Sequence, residues 1–167
     1  MASGENDQTM NNETTDGAAV LVPPPLWHLV VAAVGIALNE FIWPLPFAFS
    51  GSIRLAIALV IVVPSIVLVA GALRLFWATG QNPEPWIATP EIVQTGVYRF
   101  TRNPMYLSLA LLQVAIGIGL GNLWVVLLVA FSCLIVQITA IRPEEAYLEG
   151  KFGSEYLDYK ESVRRWL

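Results

Sequence analysis

From Leu55 to Leu73 the chain carries no charged residue, and Arg54 and Arg74 stand at the two ends of that stretch. A helix rises about 1.5 Å per residue and the hydrocarbon core of a bilayer is about 30 Å thick, so about 20 apolar residues are the length that crosses it. In water a segment like this has to be wrapped on every side by protein, and a chain of 167 residues has little left to do the wrapping. The same pattern recurs from Trp27 to about Phe49, from Pro104 to Gly121 and from Leu123 to Ile141. Only 13% of the residues are charged and 56% are hydrophobic, whereas soluble domains are about a quarter charged. The expected fold is therefore all-α: a polytopic membrane helix bundle with about four transmembrane helices, at about 27–49, 53–77, 104–121 and 123–141. One membrane domain over 23–167 accounts for the length, with no room for a separate soluble catalytic domain. Residues 1–22 are polar and acidic (Glu5, Asp7, Glu13, Asp16) and read as a disordered tail.

The breaks between these runs set the connectivity. Pro23-Pro24-Pro25 opens the first run and Trp43-Pro44-Leu45-Pro46 ends it. Residues 80–103 hold Pro83, Pro85, Pro90 and Gly96 and form the long polar loop. Gly121-Asn122 separates the last two runs by so little that they form a tight helical hairpin. Gly117 and Gly121 are spaced for close helix approach, and they equally suit a loosened helix end before the turn. After Pro143 the chain turns polar, yet Leu148, Phe152, Tyr156, Tyr159, Val163 and Trp166 recur at helical spacing. This predicts amphipathic surface helices over about 143–165, starting at Pro143 and interrupted at Gly153. With both termini on one side, Arg74, Arg99, Arg102, Arg142, Lys151, Lys160, Arg164 and Arg165 share that side and Arg54 lies opposite. The positive-inside rule makes it cytosolic, in a bacterial inner membrane or an endoplasmic reticulum.

Two polar clusters flank the hairpin: Thr95 to Tyr106 before it and Arg142-Pro143-Glu144-Glu145 after it. A hairpin returns the chain to the face it left, so the clusters are neighbours in space. Arginine grips carboxylates bidentately, glutamate takes an ammonium or a ribose diol, and tyrosine packs on a sulfonium or a purine. Read by composition alone, the same residues are snorkelling arginines, an aromatic belt and an acidic helix cap.

The order of those residues resembles the isoprenylcysteine carboxyl methyltransferase and phospholipid methyltransferase superfamily: TGVYRFTRNPMYLS at 95–108, an apolar hairpin, then RPEEAYLEGKFGSEYLDYKESVRRWL at 142–167. The likeness is close over roughly the last 75 residues and only hydropathic before them. It implies an S-adenosyl-L-methionine site with Gly96, Tyr98, Arg102, Asn103, Pro104, Met105, Tyr106, Glu144 and Glu145 around the cofactor. Arg142 and Glu145 are the implied catalytic residues, and Arg99 and Arg142 the implied substrate contacts. Two departures stand out: many members have His where this chain has Asn103, and the family's upstream His has no counterpart near Pro90. His28, beside Trp27, is the one histidine and reads as interfacial. Glu144 or Glu145 is then the sole evident base, which leans the reading slightly toward an anionic or easily deprotonated acceptor.

The partners expected are the lipid bilayer and a lipophilic or lipidated acceptor, whether a prenyl-cysteine carboxylate, a phospholipid amine or a thiol. No phosphate loop, metal-ligand spacing or nucleic-acid patch is evident. The competing readings are a non-catalytic membrane scaffold of the same fold and a membrane reductase using NADPH. Glu40 lies within the first run near its outer end, where its carboxylate either reaches water or serves a function. Cys133 reads as a packed core thiol.

Overall fold

A computed structural model describes residues 17–167, in which every regular element is helical. Helix α1 is Pro24–Phe41, α2 is Gly51–Ala78 and α3 is Pro104–Leu120. Helix α4 runs Leu123–Phe152 and α5 is Ser154–Ser162, with a short 3-10 turn at Gly96–Arg99 before α3. Helices α1, α2 and α4 are long and apolar enough to cross a membrane. Helix α3 has 17 residues, which at 1.5 Å each extend about 26 Å. The architecture is the polytopic bundle expected from the hydropathy.

Proline fixes both ends of α1. A proline at the first helical position gives up an N–H that has no intrahelical acceptor there. The residue before a proline is disfavoured in the helical region, so the helix stops at Phe41 ahead of Trp43-Pro44 rather than continuing to Phe49. Residues 1–16 of the expected tail lie outside the described residues. Residues 17–22 depart from that expectation: Ala18 and Val20 are buried, and the Ala18 N–H donates to Pro85 O at 2.9 Å. Ala18 and Val20 join Val136, Ala140 and Ile141 of α4 in one apolar cluster, while Leu21, between them and α1, stays exposed.

The interior of the bundle is made of small residues. Ala58, Ser65 and Ala72 of α2 and Ala110, Ala115 and Gly117 of α3 are buried. Leu59, Val60, Val63, Ile66 and Val67 point outward and are each more than half exposed. Hydrocarbon solvates large aliphatic side chains as well as a protein core does, so close backbone packing is what draws these helices together. A Cβ on Gly35 would lie 2.9 Å from the Val125 nitrogen, and one on Gly117 would lie 2.7 Å from Val126 Cγ2. Gly117 thus serves close approach, while Gly121 adopts φ +68° and ends α3, with Asn122 N–H donating to Gly117 O at 2.8 Å. The Asn122 side chain then caps α4 by accepting from Val125 N.

Several buried polar groups are paired across helices. Ser65 Oγ donates to Ser108 O at 2.8 Å. His28 is buried, not interfacial: its Nδ1–H donates to Gln113 Oε1 at 2.7 Å, and Gln113 Nε2 donates to Val125 O. Glu40 is exposed and accepts from Asn39, and Cys133 is half-buried and unpaired in any disulfide.

Helix α4 does not begin anew at Pro143. Its apolar part, Leu123–Ile141, is the portion read as crossing the membrane, and Arg142–Phe152 continues the same helix beyond it. The join is a π-helical turn over Gln137–Ile141. Proline lacks the N–H for the i−4 carbonyl and its ring crowds that carbonyl, and a widened turn ahead of Pro143 accommodates both while the helix goes on.

Replacing Gly35 by Leu forces α1 off α4 and is expected to cost about 1–3 kcal/mol, the usual penalty of overpacking. It should read as a lowered midpoint of thermal unfolding in detergent. Gly150→Ala, inside the helical segment Arg142–Phe152 where nothing lies within 4 Å of a new Cβ, should raise the midpoint slightly, since alanine is favoured over glycine in a helix interior by up to about 1 kcal/mol.

Candidate functional site

The hairpin delivers its two flanking segments to one end of the bundle, and a cavity of about 420 Å³ opens between them. One wall is the 3-10 turn and the start of α3, with Tyr98, Arg102, Asn103, Pro104, Met105 and Tyr106. The facing wall is the polar extension of α4, with Glu144, Glu145, Tyr147 and Leu148. The loop after α2 and the prolines at the start of α1 close the remaining sides, and Val69, Phe76 and Leu109 contribute apolar lining.

The 3-10 turn is pressed onto α2 by small residues. A Cβ on Gly71 would meet Val97 Cγ1 at 2.7 Å, and one on Gly96, whose φ is +58°, would meet Leu75 Cδ1 at 2.9 Å. Glycine at 96 therefore serves packing and a left-handed backbone, and it does not reach the cavity. Tyr98 sits edge-on to Phe76 with ring centroids 6.0 Å apart. Tyr159 Oη donates to Tyr98 O at 2.8 Å, tying α5 to the turn. Burial, with Tyr159 and Glu144 nearby, raises the Tyr98 hydroxyl above the usual phenolic range and keeps it neutral.

The two adjacent glutamates occupy different environments. Glu145 is buried and is held by two guanidinium groups. Arg165 Nε and Nη2 donate to its two oxygens at 2.9 and 2.7 Å, and Arg102 Nη1 lies 3.0 Å from Oε1. Burial opposes its ionisation, but the Arg165 hydrogen bonds and both positive charges outweigh that and hold its carboxyl below the usual range. Glu144 has no cationic partner among the described residues; it accepts a hydrogen bond from Tyr106 Oη. Burial raises its pKa to about 7, the Tyr106 hydrogen bond works against the rise, and the charge of Glu145 adds to it.

The last residues of the chain fold back over this end. Arg102 N donates to Arg164 O at 3.0 Å, and Thr101 Oγ1 and Asn103 Nδ2 both donate to Arg165 O, at 3.1 and 2.9 Å. Trp166 Nε1 donates to Gln137 Oε1 at the π-helical turn. Asn103 thus binds the tail through its amide. Thr101 and Pro104 are fully enclosed by these contacts.

Of the residues singled out in the sequence, Tyr98, Arg102, Asn103, Pro104, Met105, Tyr106, Glu144 and Glu145 converge on the cavity. Arg99 and Arg142 are exposed and do not line it, and Gly96 stands behind Tyr98 against Leu75. Sequence reasoning did not reach Arg165, Tyr156, Tyr159 or the loop residues Gln81 to Val93 as parts of this site. The aromatic stripe at helical spacing was the available signal for the two tyrosines. Nothing local marked the loop, which enters the wall only because α2 ends beneath it.

Glu145→Ala leaves Arg102, whose side chain is 7% exposed, charged and buried without its carboxylate, and is expected to destabilise the protein by about 3 kcal/mol. Arg165 is 32% exposed, and Arg165→Ala should cost about 1 kcal/mol or less. Urea titration of the two variants in detergent would check the order.

The sequence model of the phospholipid methyltransferase family matches residues 53–155, from the start of α2 into α5. An uncharacterized protein of Haemophilus influenzae is 49% identical over 63 residues, which are 38% of this chain and 100% of that protein. No solved structure matches the chain.

Proposed function

The chain belongs to the phospholipid methyltransferase family, and on that premise we propose that it is an S-adenosylmethionine-dependent methyltransferase acting on a lipophilic or membrane-partitioned acceptor. The observation that carries the reading is the cavity itself, lined by ionisable and aromatic groups together with apolar side chains from the helices of a membrane bundle. Cavities of roughly 300–1,000 Å³ hold ligands of cofactor size, and this one has about 420 Å³.

The residues present suit S-adenosylmethionine. Arg102 Nε is buried with no hydrogen-bond partner among the described residues, a donor left open for a carboxylate. Glu144, without a cation of its own, is open to an ammonium or a diol, and the neutral rings of Tyr98 and Tyr106 suit a sulfonium face. Bound there, the cofactor supplies a methyl group activated by the positive sulfur. The protein's part is alignment and exclusion of water. Tyr98 and Tyr106 flank the reacting region, and α5 with the folded-back tail covers it. Glu145, tied up by two arginines, positions Arg102 and the tail and takes no proton. Glu144 is the group whose proton is poised near neutrality, so it is the proton acceptor if the acceptor arrives as an ammonium. This shifts the reading toward an acceptor that loses a proton, of which a phospholipid amine is the clearest case. Arg99 and Arg142, exposed at the same end, are placed to meet an anionic headgroup at the membrane surface.

Eight of the nine cations lie in the segments at the cavity end, and Arg54 lies at the hairpin end beside Gly121. We place the cavity end, with the C-terminal tail, in the cytosol. Reporter fusions at the C-terminus and at Asn122 should give cytosolic and external signals respectively, and the reverse pattern would overturn the orientation.

For catalysis, membranes containing the protein and methyl-labelled cofactor should yield label in an organic-extractable product. A base works in its ionised form, so kcat/KM should rise with pH through about 7 and level above it. Glu144→Gln should lower the rate by about 100-fold, the smaller end of what general-base loss costs, and abolish that rise. If the cofactor binds and no label moves to amine, thiol or carboxylate acceptors, a non-catalytic membrane protein of this fold becomes the better description.

A further inference from the structure

One group in the cavity wall is explained neither by the packing nor by the chemistry above. Gln81 is 5% exposed and lines the cavity, yet among the described residues neither its side-chain oxygen nor its side-chain nitrogen has a hydrogen-bond partner. A buried amide with both ends unmatched is an uncompensated desolvation, and native interiors keep very few of them.

The backbone shows that this placement is enforced. Helix α2 ends in a left-handed glycine, Gly80 at φ +68°. Gly80 N–H donates to Trp77 O, and Gln81 N–H reaches back to Phe76 O at 2.8 Å. This pair of bonds is the Schellman closure of a helix, and it fixes the Gln81 Cα relative to α2. Thr79 adds its hydroxyl to the Leu75 and Phe76 carbonyls. The amide is therefore carried on a rigid helix end beside Phe76, whose ring also lines the cavity and meets Tyr98 edge-on.

We propose that Gln81 is the residue that reads the base of the cofactor, pairing its amide with the adjacent donor and acceptor on the edge of adenine, with the Phe76–Tyr98 wall beside the ring. A primary amide offers one acceptor and one donor a fixed distance apart. Adenine offers the complement, the 6-amino group next to N1 or N7, which is why glutamine pairs bidentately with it. The roles in the cavity are then divided by chemistry: Gln81 takes the base, Arg102 takes the carboxylate of the amino-acid portion, and Glu144 is left for the acceptor. This assignment rests on the S-adenosylmethionine reading, and it makes Gln81 a specificity residue that does not touch the reacting atoms.

The test compares binding of S-adenosylhomocysteine with binding of its analogue lacking the 6-amino group, by calorimetry on purified detergent-solubilised protein. In the unaltered protein the analogue should bind about tenfold more weakly or worse, the discrimination expected of a bidentate amide. In Gln81→Leu and in Gln81→Met, which are of similar size and carry no amide, S-adenosylhomocysteine should weaken by about tenfold and the two ligands should bind within about twofold of each other. Since both variants remove an unmatched buried amide, their ligand-free thermal midpoints should equal or exceed that of the unaltered protein. Variants that bind S-adenosylhomocysteine as tightly as before, or that keep the preference for the 6-amino group, overturn the assignment to Gln81 and leave the methyltransferase reading standing. Failure of the unaltered protein to bind S-adenosylhomocysteine at all would instead remove the premise.

Discussion

The hairpin at Gly121–Asn122 is the constraint on which the rest of this molecule depends. Two apolar runs separated by one glycine and one asparagine return the chain to the level it left, so the segment leading into Pro104 and the segment following Ile141 meet at one end. The turn is tight because Gly121 takes a left-handed conformation, Gly117 lets α4 lie against α3, and Asn122 caps the helix that follows. Arg54 packs where a side chain at 121 would sit, so the outer end is filled and the polar chemistry is confined to the other. In a hydrocarbon surround this segregation is forced: unpaired polar groups inside the bilayer are costly, and one end of the bundle collects what the spans exclude.

At that end two neighbouring glutamates behave as opposites. Consecutive residues on a helix point about 100° apart, so Glu144 and Glu145 face different surroundings although their backbones are adjacent. Glu145 turns to Arg102 and Arg165 and joins three separate pieces of chain: the loop before α3, the extension of α4 and the C-terminal tail. Glu144 turns to Tyr106 and the cavity, where no cation offsets its burial. One residue stabilises the enclosure and the other holds a proton near neutrality inside it. The same division separates the arginines: Arg102 and Arg165 are internal to the structure, whereas Arg99 and Arg142 remain at the surface.

Much of the fold was legible because the bilayer imposes a length and an apolar composition that a sequence displays openly. The spans, the turn at Gly121 and the break at Gly153 follow from runs of aliphatic residues and from glycine placement. The end of α1 was less legible, since apolar residues continue past Phe41 in Pro-containing coil. So was the start of the C-terminal helix, since Pro143 suits a helix start as well as a π-helical turn within one. Ala18 and Val20 were hidden for a different reason: their burial depends on Val136, Ala140 and Ile141 of α4, far along the chain, and a short apolar patch next to a polar tail carries no periodicity.

The sequence by itself determined the class of molecule, the sidedness of its charges and the two segments that had to meet, because each rests on local composition or on the geometry of one hairpin. It also carried the family resemblance, in residues 95–108 and 142–167. Tertiary structure alone decided which carboxylate is paired and which is free, that His28 is buried against Gln113, that the tail closes over Asn103, and that Gln81 faces the cavity unmatched. The physical reason is common to all four. Hydrogen bonding and burial depend on which surfaces come within about 3 Å of one another, and that distance is fixed by helix packing between residues far apart in the chain.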